Sequence, residues 1–180
     1  DNRRSRGLGD VYKRQILILT FLSSNAIAQT AMIEKFVPEA ALVGEARFKV
    51  LLFPVYDASL YAPNGNYKKS GPLVLVLNYV SDLKKDRIVS TTVKTFKRRE
   101  MGSSSDIKNW RKIMGEHFSD VQKGDRIMIA FPDTQTVVFS TNGSDPTYVA
   151  DERFSIAFRD LWLGENIRNK GFQNKLLGLK

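Results

Sequence analysis

The groups able to do chemistry in this chain gather in two places. In LLFPVYDASLYAP, Leu51 to Pro63, the side chains of Tyr56, Asp57 and Tyr61 fall close together. A phenol donates a hydrogen bond or moves a proton, and a carboxylate accepts one. Read at the strand period of two, Phe48, Val50, Leu52, Pro54, Tyr56, Ala58 and Leu60 share one face, while Arg47, Lys49, Leu51, Phe53, Val55, Asp57, Ser59 and Tyr61 share the other. The first face is apolar throughout, so Tyr56 is expected to bury its ring, pair its hydroxyl and border any cleft that lies there. Asp57 is expected to bond locally. Pro54 cannot donate to a ladder and calls for a bulge or an edge.

The second place is Lys84 to Arg99, with Lys84, Lys85, Arg87, Lys94, Lys97, Arg98 and Arg99. On a helix these mostly avoid the face of Ile88, Thr92 and Phe96, which reads either as a solvated surface or as attraction for anionic ligands or lipid headgroups. Aromatic residues interleaved for stacking on bases are missing, which argues against nucleic acid. The single histidine, His117, sits on an apolar stripe and reads as a core or boundary residue. With no cysteine, and with H-E-x-x-H, P-loop and G-x-G-x-x-G patterns absent, no metal site and no cofactor is expected. Any catalysis would fall to tyrosine, lysine, arginine or carboxylate.

The elements that must position these groups can be read in order. One long strand is expected from about Gly44 to Tyr61, reversed at Asn64-Gly65 into PLVLVLNYV, Pro72 to Val80, whose continuous apolar run fits a central strand covered on both faces. In Leu83 to Arg99, Ile88, Val89, Thr91, Thr92 and Val93 favour a strand while Ile88, Thr92 and Phe96 fall at helical spacing, and helix is the reading taken. GSSSD, Gly102 to Asp106, then offers a serine cap to a helix with Ile107, Trp110, Ile113, Met114, His117 and Phe118 on one stripe. Strands at Arg126 to Phe131 and Thr136 to Ser140 follow, then an Asn142-Gly143 turn and a short strand around Tyr148. Asp151 caps a helix carrying Phe154, Ala157, Phe158, Leu161 and Trp162, with Gly164 as its stop, and a last helix runs to Leu177. Strands, two helices, strands and two helices make an α+β domain with helices packed on one sheet.

The chain has 180 residues and a formal charge of +9. Beyond Ala28 it holds 23 basic and 17 acidic residues, a net of +6, which is only moderately basic. ILILTFLSSNAIAQ, Ile16 to Gln29, has a short apolar core followed by Ala26-Ile27-Ala28, the arrangement of a secretory signal cleaved after Ala28. A membrane span needs about 20 apolar residues, so no integral membrane segment is expected in the mature chain. Residues 1–15, ending GDVYKRQ, read as a non-native leader resembling translated adapter sequence, with the authentic start upstream of Ile16 replaced. The expected organisation is leader (1–15), signal core and cleavage site (16–28) and one domain (29–180), in a periplasmic or secreted protein.

Four blocks in order, GEARFKVLLFPVYDASLYAP, LVLVLNYVSDLKKDRIVSTTVKTFKR, FSDVQKGDRIMIAF and DERFSIAFRDLWLGENIRNKGFQNKLLG, together resemble the bacterial chalcone isomerase-like family over roughly Val43 to Gly178. VYDASLYA, FRDLWLG and KLLG are the most specific parts. The resemblance implies an open-faced β-sandwich in which a long curved antiparallel sheet carries a layer of helices on one face, with a ligand cleft between. Plant enzymes of this fold cyclise chalcones with a strand arginine, a strand threonine, a helix-borne tyrosine and asparagine, and a serine or threonine near the last helices. Here the arginine position falls near Gly44, with Arg47 three residues on. The threonine falls near Tyr56, the tyrosine near Lys85 or Asp86, and the asparagine near Thr92 or Val93. The last is kept as Ser155.

Losing the cation removes the preorganised charge on which oxyanion stabilisation depends. The resemblance therefore implies a protein that binds a small apolar or acidic, fatty-acid-like ligand without turning it over. Its candidate ligand-binding residues are Arg47, Tyr56, Lys85, Arg87, Thr92 and Ser155. The alternatives are an isomerase or lyase of chalcone isomerase type with a relocated site, and an interaction protein whose cleft is filled by its own side chains.

Overall fold

The computed structural model describes residues 30–179. The leader and the signal read from residues 1–28 lie outside them. Ile33–Lys180 form a compact unit. Residues 30–36 are helical (α1) and lead to six strands, β1 (Ala40–Val50), β2 (Phe53–Pro63), β3 (Leu73–Tyr79), β4 (Arg126–Phe131), β5 (Thr136–Thr141) and β6 (Thr147–Ala150). All pair antiparallel with their sequence neighbours in one sheet ordered β1-β2-β3-β4-β5-β6. Helices α2 (Lys85–Arg98) and α3 (Ser104–His117) enter between β3 and β4, and α4 (Glu152–Leu163) and α5 (Lys170–Leu176) follow β6. None of the described helices is long and apolar enough to cross a membrane.

The single strand expected from Gly44 to Tyr61 is corrected by the structure: it is two strands folded into a hairpin at Leu51-Leu52, between the paired Val50 and Phe53. Leu51 takes a φ of 56°. Reversals are recognised in sequence by Gly, Asn or Asp at such positions, and a Leu-Leu turn carries no such mark. The two reversals expected at Asn-Gly pairs do hold, with Asn64 and Gly65 at φ of 51° and 69°, and Asn142 and Gly143 at 53° and 78°. The demand of Pro54 for a bulge is also met. Pairing passes from Phe48↔Tyr56 to Lys49↔Pro54 and leaves Val55 as the extra residue.

The register sorts side chains into two faces. Rows Phe48–Tyr56–Tyr79, Ala46–Ala58–Leu77 and Gly44–Leu60–Leu75 face α2 to α5, and Ile129 and Phe139 continue the last row. The opposite face carries Arg47, Asp57, Asn78 and Arg126 in one row, and Glu45, Ser59, Val76, Met128 and Ser140 in the next. Val74, Val76, Ala130 and Val138 are buried on that second face, and the Phe36 ring lies 6.2 Å from Tyr148 there. This double burial is why β3 lacks polar alternation.

Helices α3 and α4 start at side-chain caps. Ser103 and Asp106 form a reciprocal capping box on α3, and the Asp151 side chain accepts the Phe154 N–H at 2.9 Å to open α4. On α2 the inward residues are Val89, Val93 and Phe96, so the face keeps Phe96 and takes Val89 and Val93 in place of the expected Ile88 and Thr92, which are half-buried at its edge. Phe96 packs edge-on against Trp110 of α3 at 5.0 Å, and Trp110 lies 6.2 Å from Phe154 of α4. The helix layer is thereby one aromatic mass seated on the sheet.

Candidate functional site

Seven residues, close to two helical turns, separate Ser155 from Trp162, so both point the same way from α4 about 10 Å apart. Ser155 is buried against β5, where its hydroxyl donates to the Thr136 carbonyl at 3.2 Å. At the other end of the helix the Trp162 indole N–H donates to the Tyr56 hydroxyl at 3.1 Å. The helix spans the sheet from β5 to β2, and the polar tips of its two ends serve different strands.

Around the Tyr56 hydroxyl the walls are aromatic. Phe48 stacks on the Tyr56 ring at 5.0 Å, Tyr79 meets it edge-on at 5.6 Å, and Phe172 of α5 lies 5.6 Å from Phe48 and 6.5 Å from Tyr56. Trp162 leans edge-on against Phe158 at 5.3 Å. Burial pushes the Tyr56 phenol far above its ordinary range, opposed by the indole hydrogen bond, and burial pushes Tyr79 up to about 12. Both are neutral at any physiological pH. The Tyr56 oxygen accepts from Trp162, and its O–H remains a neutral donor for an oxygen brought into the box.

The sheet position beside this box is closed. A Cβ on Gly44 would fall inside contact distance of the Lys175 carbonyl oxygen, and 2.8 Å from both Gly178 N and the Leu176 carbonyl oxygen. The end of α5 thus lies on the bare backbone of β1, and no cationic side chain fits there. Arg47, three residues on, is turned to the opposite face. Its Nε and Nη2 bind both carboxylate oxygens of Asp57 at 2.6 and 2.7 Å, and this partner holds Asp57 below its usual range. The expectation that Arg47 and Tyr56 serve one cleft is corrected on this point. Alternation along β1 sends Phe48 to the helices and Arg47 away from them.

The remaining candidates lie along α2. Lys85 donates through Nζ to the Gly115 carbonyl at 3.3 Å and through its backbone N–H to Asp120 at 2.9 Å. Arg87 is exposed on the first turn, and Thr92 is half-buried. The residue missed from the sequence as a polar group is Trp162, which reads there as a packing anchor alone. A tryptophan on a buried face needs a partner for its N–H, and that requirement is the signal that Tyr56 answers.

Elsewhere, Arg159 is buried and donates through Nη2 to the carbonyls of Lys68 and Gly71 at 3.0 and 2.9 Å, tying the β2–β3 connection to α4. Hollows of about 470 and 560 Å³ lie off the aromatic box, where Arg99 and Asn166 contribute to both. Asp160 lines the first, its carboxyl raised by burial and opposed by the charges of Arg99 and Lys69. Among the described residues no cluster of His, Cys, Asp and Glu is arranged to hold a metal ion.

A family described as chalcone isomerase-like matches residues 39–178. Among solved structures, the crystal structure of an Arabidopsis thaliana fatty-acid binding protein aligns with a TM-score of 0.59 at 15% identity, covering 78% of this chain and 88% of that one. At that identity the likeness is one of fold. No curated protein matches the sequence.

Proposed function

The chain belongs to the chalcone isomerase-like family, and from that premise we propose that it is an exported, non-catalytic protein that binds a small apolar, acid-ended ligand of the fatty-acid class between the sheet and the closing helices. The observation that carries this reading is the aromatic box with one neutral hydrogen-bonding point, Tyr56 held by Trp162. An apolar chain is matched by Phe48, Tyr56, Tyr79, Phe172 and Trp162, and its polar end by one hydroxyl. Phe172 is the wall that an entering ligand must displace. It stands on α5, a helix of 7 residues, and parting it from Phe48 and Tyr56 opens the box. The fold neighbour named a fatty-acid binding protein supports the ligand class. Export rests on Ala26 and Ala28, and sequencing of the secreted form from its N-terminus is expected to start at Gln29.

With Gly44 closed and Arg47 engaged on the far face, a bound carboxyl in the box meets neutral donors. Desolvation without a cation raises its pKa on binding. A ligand whose pKa rises on binding binds best when protonated, so dodecanoic acid is expected to bind more tightly as pH falls through its carboxyl range, and dodecanol to show no such dependence. Tyr56→Phe is expected to lose one neutral hydrogen bond, about 0.5 to 1.5 kcal/mol or several-fold in Kd. Arg47→Ala is expected to leave affinity unchanged. Calorimetric titration decides the matter. A loss of tenfold or more in Arg47→Ala with none in Tyr56→Phe would move the ligand to the other face of the sheet.

A further inference from the structure

The hairpin that joins β1 to β2 ends in four apolar residues that the fold leaves in solvent. Val50, Leu51, Leu52 and Phe53 are 52%, 88%, 87% and 74% exposed. The two Asn-Gly reversals of the same chain show what a solvent-facing turn here ordinarily uses. At the β1–β2 turn, Leu51 holds a φ of 56°, a conformation unfavourable to a side chain with a Cβ and favoured by glycine or asparagine. Two leucines at this turn serve neither the core nor the turn.

The tip also projects. The Val80 N–H donates to the Val55 carbonyl, which is the outermost tie between the hairpin and the rest of the sheet. Leu52 stands three residues further out, about 10 Å at strand rise. Lys49 is exposed on the β1 arm. Lys123 is exposed on the neighbouring loop at the same end of the sheet, where the Gly124 N–H meets the Tyr79 carbonyl.

From this geometry we propose that the β1–β2 tip is a membrane-docking element that inserts Leu51, Leu52 and Phe53 into the interface of an anionic bilayer, with Lys49 and Lys123 at the headgroups. Size and shape select this occupant. A stable protein interface takes about 800 Å² from each partner, far more than a two-residue turn and its flanks present. A narrow convex knob needs a deep matching pocket on a protein, but a bilayer receives it without one. Lysines beside an apolar tip complement anionic lipid. The proposal does not depend on what the aromatic box binds.

The test is sedimentation of the protein with vesicles of phosphatidylcholine and phosphatidylglycerol at 7:3, and of phosphatidylcholine alone. The parent is expected to partition onto the mixed vesicles more strongly than onto the neutral ones. Leu51→Gly with Leu52→Asn restores ordinary turn chemistry, so it is expected to keep or raise the urea midpoint while losing about tenfold or more in partitioning. Lys49→Ser is expected to weaken binding to the mixed vesicles alone. Equal partitioning of parent and double variant, or a parent that binds neither vesicle, overturns the proposal. So does a parent that self-associates through the tip, with the double variant monomeric and vesicle binding absent.

Discussion

Replacement of Trp162 by alanine is expected to lower the unfolding free energy by about 3 to 5 kcal/mol, the range for removing a buried large aromatic. Trp162 is 9% exposed and packs edge-on against Phe158, which in turn meets Phe139 of β5 at 5.5 Å. Removing the indole leaves a hole between α4 and β2 and takes from Tyr56 its hydrogen-bond donor. Trp162→Phe keeps most of the ring volume and is expected to cost less, about 1 to 3 kcal/mol, for a lost hydrogen bond and a smaller ring. A double-mutant cycle with Tyr56→Phe separates the two terms, with an expected coupling of about 0.5 to 1.5 kcal/mol. Urea unfolding of the parent, Trp162→Ala, Trp162→Phe, Tyr56→Phe and the Phe-Phe double variant reads all of these. A loss below about 1 kcal/mol in Trp162→Ala would mean that the tryptophan does not anchor the helix layer.

Gly44→Ala is expected to cost about 3 kcal/mol, at the upper end for overpacking. Its added methyl would press on three backbone atoms of the C-terminal turn, from Lys175, Leu176 and Gly178, and backbone held in a helix end cannot swing aside as a side chain can. The structure offers one relief, displacement of α5, and that carries Phe172 away from Phe48 and Tyr56. Two readouts should therefore move together, the urea midpoint and the accessibility of the aromatic box to an apolar dye. Wild-type stability in Gly44→Ala would show that α5 does not rest on β1, and that the position is open to a larger side chain.

Helices α3 and α4 were legible because their signals are local. Ser103 with Asp106 and Asp151 with Phe154 are caps that can be read within four residues, and the 3.6-residue spacing of Phe154, Phe158 and Trp162 marks a buried face wherever it occurs. β3 was legible for the same reason, from its unbroken apolar run. The β1–β2 hairpin was not. Its reversal is built from Leu51 and Leu52, residues that continue a strand in any pattern reading, and only the pairing of Val50 with Phe53 reveals the turn.

The candidate site divides along similar lines. Alternation does place Tyr56 and Arg47 on opposite faces, yet which face meets the helices is decided by long-range packing. Tyr56 follows Phe48 toward the helices, while Arg47 finds Asp57 outside. The fit of α5 against Gly44 was beyond reach of the sequence. It joins residues more than a hundred positions apart, and glycine gives no sign of what approaches it. Family resemblance marked Gly44 as a place where a catalytic cation is lost. In the fold, the space that a side chain at Gly44 would need is taken by the chain's own C-terminal turn.

The central claim is that an apolar acid enters the aromatic box at Tyr56 and Trp162. The chain has two tryptophans, so a ¹⁵N-labelled sample shows two indole N–H resonances, that of Trp162 in the box and that of Trp110 buried between Phe96 and Phe154. Titration with dodecanoic acid, with the peaks assigned through Trp162→Phe, is expected to shift the Trp162 indole in a saturable way and to leave the Trp110 indole in place. A Trp162 indole that stays fixed while dodecanoic acid binds, or while no binding occurs at saturating ligand, would contradict the claim.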